Sequence, residues 1–430
     1  MPKLPNKAFS AVNVGVKVMP TTQTRTTRCC IVGGGPAGMM LGLLLARAGV
    51  ATTVLEKHAN FLRDFRGDTV HPSTLGILDE LGLKAKFDAL PQHRVDQLEG
   101  MFADGIHALG DFRGLEPYPY LALTPQWDLL NLLAVQAMRH PCFTLLMQCE
   151  AKGLLRDENG RATGVIAEDQ YGTVFISADL VVGCDGRRSV LRESAGLVPT
   201  DLGSPMDVFW FRLPRLDSDP TGTYGVPGRG NFLILLNRTD YWQVACVIAK
   251  GDGENWRQRP IDEFRATVAL RVGFVADRLD AIASWDDVKL LQVKVDRLPR
   301  WHRPGLLLIG DAAHAMSPIG GVGINLAIQD AVAAANALAP ELLRRPGAPR
   351  ESVLAAVQKR RLLPTRIIQA VQVLLQRRLI APALAQANNE KPLVLPPIAR
   401  FLLRFKLIRS IPARLFGLGI RREHVESPKS

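Results

Sequence analysis

Three short segments of the 430-residue chain carry residue types whose spacing implies chemistry. The first is Gly33-Gly34-Gly35-Pro36-Ala37-Gly38, placed between the apolar run Arg28–Val32 and a run of small and apolar residues that ends at Ala48. Glycine at the first position permits a tight turn, at the third lets backbone approach a pyrophosphate, and at the sixth lets a helix lie close to a strand. The helix that follows presents unpaired N–H groups to negative charge at its start. Glu56 closes the next apolar stretch, 18 residues past Gly38. A carboxylate there binds the hydroxyls of an adenosine ribose and disfavours a 2′-phosphate, so the nucleotide expected is FAD or NAD rather than NADP.

The second segment is Gly183-Cys184-Asp185-Gly186-Arg187-Arg188-Ser189, after the apolar Leu180–Val182. Taken alone it reads as a β-turn with a solvated arginine pair. The third is Gly310-Asp311-Ala312-Ala313-His314, continued by Ser317-Pro318-Ile319-Gly320-Gly321-Val322-Gly323-Ile324-Asn325. An aspartate at a strand end can accept bonds from sugar-alcohol hydroxyls. A helix start stripped of side chains can lie against a flat ring and offer N–H groups to developing negative charge.

The elements that must position these segments follow from periodicity. Arg28–Val32, Pro36–Ala48 and Ala51–Glu56 predict a strand, a crossover helix and a parallel strand. Helices are predicted from Pro72 to Leu81 and from Thr124 to Met138. Leu145–Leu155, Ala162–Glu168 and Thr173–Ser177 read as a β-meander, and Leu180–Gly183 as a separate short strand. Val208–Leu213, Asn231–Leu236 and Tyr241–Ile248 are β-rich and divided by Pro/Gly/Asp turns. Leu306–Ile309 rejoins the first sheet, and Val322–Leu343 is a long Ala-rich helix. Helices beyond it are expected to break at Pro364, Pro382 and the Pro392/Pro396/Pro397 cluster. The fold class is α/β. A Rossmann-like domain for FAD or NAD is expected over 28–200 and 297–345, with an inserted antiparallel β-sheet domain over 201–296 as the candidate substrate domain. A basic helical C-terminal region covers 346–430, and an extended or disordered tail covers 1–27.

Bulk composition narrows the class. With 47% hydrophobic and 22% charged residues the chain can bury a large core. Cys29, Cys30, Cys142, Cys149, Cys184 and Cys246 show no metal-finger spacing, so reduced thiols and no metal are expected, in a cytoplasmic protein. The uncharged run Cys29–Ala46 approaches membrane-helix length, but Gly33–Pro36 cuts it, which fits strand, turn and helix instead. The residues before Arg28 lack the pattern of a signal peptide. Net charge is +12, yet Leu342–Ser430 alone holds 18 basic and four acidic residues, so the remainder stands at −2. Any electrostatic partner belongs to that C-terminal fifth. No motif there supports nucleic-acid binding. On a single helix the bases of Phe401–Arg409 scatter round the wheel, which favours arginine stems packed on the body. Weak peripheral membrane contact stays open as the other reading.

The trio GxGxxG, GCDGxxSxxR and GDAAHxxxPxxGxGxN, in this order, resembles the class A flavin monooxygenases. These are the para-hydroxybenzoate hydroxylase-like enzymes, to which the ubiquinone-pathway hydroxylases are related. The likeness runs from Arg28 to about Asn336. It implies that Gly33, Gly35, Ala37 and Gly38 hold the FAD pyrophosphate and that Glu56, with Lys57 beside it, holds the ribose. It implies that Arg66 reaches the phosphates or the flavin mouth and that Gln126 touches the cofactor. Asp185 would act near the pyrophosphate and nicotinamide path, and Asp311 on the ribityl chain. Gly323, Ile324 and Asn325 would set N–H groups beside flavin N1 and O2. Arg66, Pro318 and Gly323 are the flavin-adjacent candidates for catalysis. His314 belongs to the loop signature and is expected to support the loop rather than act as an acid or base.

The same resemblance implies an enzyme with bound FAD, NAD(P)H as a transient co-substrate, and O2. It would hydroxylate a phenolic, quinone-precursor or polycyclic aromatic small molecule through a flavin C4a-hydroperoxide. A single dinucleotide fingerprint fits a nicotinamide cofactor without its own domain. The strand aromatics Phe209, Trp210, Phe211, Phe232, Tyr241 and Trp242 are candidates to line the substrate pocket, although strand aromatics are commonly core. The WxWxIP segment of flavin halogenases is missing. A geranylgeranyl-reductase-like enzyme and a non-catalytic FAD-binding protein are the alternatives.

Overall fold

Strand β1 (Gln23–Val32) ends in four buried residues, three glycines follow, and helix α1 (Pro36–Arg47) buries every residue from Ala37 to Ala46. This computed structural model describes residues 22–62, 69–228, 230–385 and 394–429. Proline at the first helical position costs no hydrogen bond, because the first N–H groups of a helix have no partner within it. Strand β2 (Thr52–Glu56), buried throughout, returns parallel to β1 with Cys29 opposite Thr52. Burial on both faces is what a parallel sheet covered by helices demands.

The chain continues through β3 (Thr69–Val70), α2 (Pro72–Glu80), a hairpin of β4 (Gln97–Phe102) and β5 (Gly105–Asp111), and α3 (Gln126–Ala137). Strand β6 (Phe143–Met147) then pairs in parallel with β2. An antiparallel meander follows, of β7 (Glu150–Arg156), β8 (Ala162–Asp169) and β9 (Gly172–Gly183). The two strands predicted within 173–183 are one. From Val174 onward it pairs with β1 in one register, from Gln23 opposite Val174 to Val32 opposite Gly183, so the strand continues through Ala178 and Asp179. The same pairing draws residues 23–27 into the sheet, where the sequence suggested a tail.

A second sheet of seven strands draws on β10 (Met206–Pro214), β11 (Tyr224–Pro227), β12 (Phe232–Asn237), β13 (Tyr241–Ala249) and β14 (Lys289–Leu291). Its order is β14-β10-β13-β12-β11-β4-β5. Residues 97–111 therefore complete it from outside the 201–296 span, through a parallel join of Tyr224 with Glu99. Alternation along the strands sorts the aromatic side chains by face. Phe209, Phe211 and Trp242 are fully buried in the cluster of Phe264, Trp285 and Phe274, so these three pocket candidates are core. Trp210 and Phe232 take the other face and pack in a cluster with Ile319 and Leu384.

Strand β15 (Leu306–Leu308) rejoins the first sheet beside β9, and the helices α4 (Gly323–Arg344) and α5 (Glu351–Leu375) follow. By length and composition Ile319–Arg344 could cross a membrane, but 83% of its apolar window is buried inside the protein. Pro364 lies within α5 and does not end it. Its cost of about 3 kcal/mol is outweighed by the face α5 buries, which runs from Leu354 and Val357 through Arg361, Thr365 and Ile368 to Gln372. Near the end, α6 (Pro397–Leu402) and α7 (Lys406–Pro412) are separate short helices, followed by a π-helical turn at Ala413–Leu418. The single helix assumed for Phe401–Arg409 does not form. Arg400 pairs with Asp104 and Arg409 approaches Asp111, while Ile398, Phe401, Phe405, Leu407 and Ile411 are each at least 50% exposed.

The buried face of α5 is largely polar. Arg361, with no exposure, donates to Asp330 of α4 at 2.9 Å and to Glu423 at 3.2 Å. His314 Nε2 lies 2.6 Å from the other Asp330 oxygen, which also accepts the Gly310 N–H at 3.1 Å. Burial pushes the Asp330 carboxyl up, but His314 and Arg361 outweigh it and hold the group below the usual carboxylate range. Replacing Arg361 with methionine leaves the buried Asp330 to His314 and the Gly310 N–H, and leaves Glu423 to Arg360, and urea unfolding should show a loss of about 3–5 kcal/mol. Arg350→Met breaks the more exposed pair with Glu341 and should cost no more than about 1 kcal/mol. Equal losses in the two variants would show that the buried network is not what stabilises this region.

Candidate cofactor and substrate site

The three glycine-bearing segments lie at the C-terminal ends of three adjacent strands, β15, β9 and β1. Open α/β sheets bind ligands there. Backbone bonds carry each loop onto its neighbour: Gly33 N–H to Leu55 O at 2.8 Å, Cys184 N–H to Val32 O at 2.7 Å, and Ile309 N–H to Gly183 O at 3.0 Å.

In the first loop the glycines divide the work. Gly33 has φ +106°, and a Cβ on it would stand 2.4 Å from the Cys184 carbonyl oxygen. A Cβ on Gly38 would meet the Gly33 carbonyl oxygen at 1.9 Å. Gly35 is different, because nothing lies within 4 Å of its missing side chain. It is the N-cap of α1, no side chain caps that helix, and its first turn carries no acid. The arrangement leaves an open approach to free N–H groups, with Ala37 buried behind it. Glu56 is 5% exposed and braces the loop, accepting Gly34 N–H at 3.0 Å and His58 N–H at 2.9 Å. Lys57 is exposed just past it, and Gln126 is the half-buried first residue of α3.

The second and third loops are tied to each other. Asp185 accepts Ser189 Oγ at 2.6 Å and Leu191 N–H at 3.1 Å. Burial pushes its carboxyl pKa up against those bonds. Its carboxylate thus shapes its own turn, whose backbone meets Gly33. Arg187, read from sequence as solvated, donates to Asp311 at 3.1 Å, and Arg192 donates to Ala312 O at 3.3 Å. Only Arg188 of the arginine pair is exposed. His314 is 1% exposed, bonded to Asp330 and set against the Trp301 ring, so it braces the loop from inside.

Beyond the half-buried Pro318, Gly320 and Gly321 take left-handed φ of 76° and 61° and lead into α4. The N-cap Val322 supplies no side-chain bond and the first turn has no acid, while a Cβ on Gly323 would enter open space. Gly323, Ile324 and Asn325 therefore present backbone N–H groups that the helix does not use. The Asn325 side chain points elsewhere. Its Oδ1 accepts His71 N–H at 2.9 Å and Thr74 Oγ1 at 2.7 Å, and its Nδ2 reaches Thr69 O at 3.2 Å and Gly321 O at 3.4 Å. Arg66 lies outside the described residues.

Four residues here escaped sequence reasoning. Gln369, Gln372 and Gln376 are fully buried beneath the third loop. Gln369 donates to Asp296 O at 2.8 Å and Ala315 O at 3.1 Å. Gln372 donates to Ser317 O at 3.0 Å and Ile319 O at 2.8 Å, and Gln376 to Ser317 Oγ at 2.8 Å. Their spacing, continued back through Thr365 and Arg361, is a helical stripe that could have been found, though polar stripes ordinarily face water. The fourth is His71. It is 1% exposed, neither ring nitrogen closes a hydrogen bond, and burial pushes its pKa down to about 4.

Residues 26–371 match the FAD binding domain family. The chain is 34% identical over 402 residues to 6-methylpretetramide 4-monooxygenase of Streptomyces rimosus, covering 92% of this chain and 93% of that one. It is 27% identical to aklavinone 12-hydroxylase of Streptomyces peucetius, covering 82% and 75%. Among solved structures, that of PqsL from P. aeruginosa in complex with 2-aminobenzoylacetate superposes with a TM-score of 0.71 at 20% identity. It covers 85% of this chain and 97% of that one.

Two substitutions separate cofactor contact from packing. Gly35→Ala enters open space, so the cofactor-free protein should melt as the wild type does while FAD binds at least tenfold more weakly. Gly38→Ala collides with backbone and should lower the melting temperature of the cofactor-free protein. Calorimetry and FAD fluorescence titration read both, and unchanged FAD affinity in Gly35→Ala would remove that loop from the site.

Proposed function

The chain belongs to the FAD binding domain family as a flavin-dependent aromatic monooxygenase, and from that premise we propose that it hydroxylates a fused-ring phenol held between the second sheet and the Pro318–Asn325 loop. The observation that carries this reading is the convergence of three strand-end loops on two uncapped helix starts. Trp210 supports the choice of substrate face. It sits on the side of the sheet that clusters with Ile319, and its indole N–H is buried without an acceptor. An indole N–H without a partner suits a ligand oxygen. The relatives named for 6-methylpretetramide and aklavinone add weight to a polycyclic ligand.

In this reading Gly33, Gly35, Ala37 and Gly38 form the pyrophosphate cradle at the start of α1. Glu56 holds the ribose with Lys57 alongside, its carboxylate oriented by the Gly34 and His58 N–H groups. Gln126 borders the cofactor, and a role for Arg66 rests on the sequence resemblance alone. Asp311, held by Arg187, meets the ribityl hydroxyls, and Asp185 acts through the backbone it presses against Gly33. The N–H groups of Gly323, Ile324 and Asn325 face the pyrimidine edge of the ring, where charge develops on reduction. FAD, when bound, supplies the activation and transfer of oxygen. NAD(P)H is the transient reductant and O2 the oxidant, and the chain's task is to orient the aromatic carbon and exclude water. Pro318 is placed at the substrate side of that edge. All six cysteines are unpaired thiols, which suits the cytoplasm.

A visible spectrum followed by NADPH and NADH oxidation across a panel of phenols, quinone precursors and polycyclic aromatics tests the reading. We expect a yellow protein whose oxidation is stimulated by one fused-ring phenol, with O2 uptake and a product heavier by one oxygen. Stimulation without oxygen uptake would reject the reaction, and stimulation by single-ring phenols alone would reject the substrate class.

The exposed apolar residues of α6 and α7 bear on the peripheral contact raised by the basic C-terminus. Between Leu395 and Arg422 there is no acidic residue, and Arg404 and Lys406 are exposed among Phe401, Phe405 and Leu407. Such a face suits weak contact with an anionic bilayer. Anionic vesicles should sediment the protein at low salt and lose it in Phe405→Ser/Leu407→Ser, and failure of the unaltered protein to sediment ends this idea.

A further inference from the structure

His71 is the least economical residue near the site. A buried imidazole without a hydrogen bond costs about 1–3 kcal/mol for each polar group left unsatisfied, and a phenylalanine would fill the space without that cost. Its surroundings indicate a purpose. The carbonyl groups of Gly320, Gly321 and Phe416 face the ring, while neither nitrogen bonds to them with good geometry. The backbone N–H of His71 is already anchored on Asn325, so the ring cannot drift from the loop. Phe416 closes the far side, its own ring 3.0–3.3 Å from where a Cβ on Gly320 would stand.

In a trans peptide the C=O of one residue and the N–H of the next point in opposite directions. The Gly321 carbonyl, turned towards His71 and the Asn325 amide, therefore aims the Val322 N–H the other way, to the side where α4 begins. Both glycines sit in left-handed φ, a region that only a glycine enters without strain. The Gly321 N–H bond to Pro318 O at 3.0 Å holds the Gly320–Gly321 plane, whereas the Gly321 carbonyl is met by the Asn325 amide at a long 3.4 Å.

We infer that His71 is the positioning residue for this edge of the site: its single N–H donates to the Gly321 carbonyl from behind when FAD is seated, and so fixes the Gly321–Val322 peptide plane from which the Gly323–Asn325 N–H groups follow in front. The neutral ring that burial imposes has one donor to give and is faced by carbonyl acceptors. The inference rests on the placement of the flavin edge at Gly323–Asn325. A protein that takes up no FAD fails that placement, whereas FAD uptake indifferent to His71 fails this inference alone.

The test compares His71→Phe, which keeps the ring's bulk without the donor, with His71→Gln, which keeps a donor. Melting of the cofactor-free protein, the FAD dissociation constant and the midpoint potential of the bound flavin are measured for each. His71→Phe should melt no lower than the wild type and bind FAD about tenfold more weakly. It should hold the reduced flavin about tenfold less well than the oxidised form, a shift of about 30 mV for a two-electron couple. His71→Gln should restore most of both. Unchanged affinity and potential in His71→Phe, or an equal defect in His71→Gln, would overturn the inference. Should His71→Phe not fold, imidazole 15N spectra of the unaltered protein decide. FAD should shift the His71 N–H and protect it from exchange, and an unmoved, exchanging signal overturns the proposal.

Discussion

Asp330 has no contact with solvent and stands where four parts of the chain meet. Its two oxygens receive the N–H of Gly310, the imidazole of His314 and the guanidinium of Arg361, and Arg361 continues to Glu423. A buried carboxylate is tolerable only when charge and hydrogen bonds surround it. Here that requirement is met by Gly310 and His314 of β15's outgoing loop and by Arg361 of α5, while Arg360 and Arg361 together serve Glu423. The loop that carries Asp311 is thereby held to the helix that carries Gly323. Because the groups share partners, the arrangement behaves as a unit rather than as a sum of pairs.

Around that anchor the site is built by exclusion more than by attraction. Gly33 and Gly38 are glycine because backbone occupies the space a side chain would need, whereas the space beside Gly35 is open. The Asn325 and Glu56 side chains turn to neighbouring backbone N–H groups. Gln369 and Gln372 support the third loop from below by its carbonyls, and Gln376 by the Ser317 hydroxyl. The result is a rim of N–H groups with few side chains, suited to a large flat cofactor whose charge changes during its work.

What was legible in the sequence was local. The strand, glycine turn and helix at 28–48 follow from spacing alone, and so does the sense of Gly33 and Gly38, since their collisions arise within a few residues or with a neighbouring strand's turn. Arg187 was misjudged because its partner Asp311 is 124 residues away. Separation in sequence likewise hid Asp104 from Arg400, 296 residues apart, and Glu423 from Arg361, 62 apart. Pro364 was taken as a break on propensity, which tertiary burial overrode. The hairpin 97–111 joins the second sheet by a parallel edge that no hairpin signal announces. The C-terminal wheel failed because it presumed one helix where the chain turns at Leu403–Phe405.

Phe416 touches the Gly320 loop and Glu423 completes the charge cluster under it, so a site that begins at Gly33 is finished by residues far downstream of both sheets. Synthesis runs in the order of the sequence, and domains generally fold as units while the chain is still emerging. The strands of both sheets are therefore made before the side chains that support the Gly320 loop from beneath. A chain stopped between α5 and Phe416 would keep every strand and lose those supports.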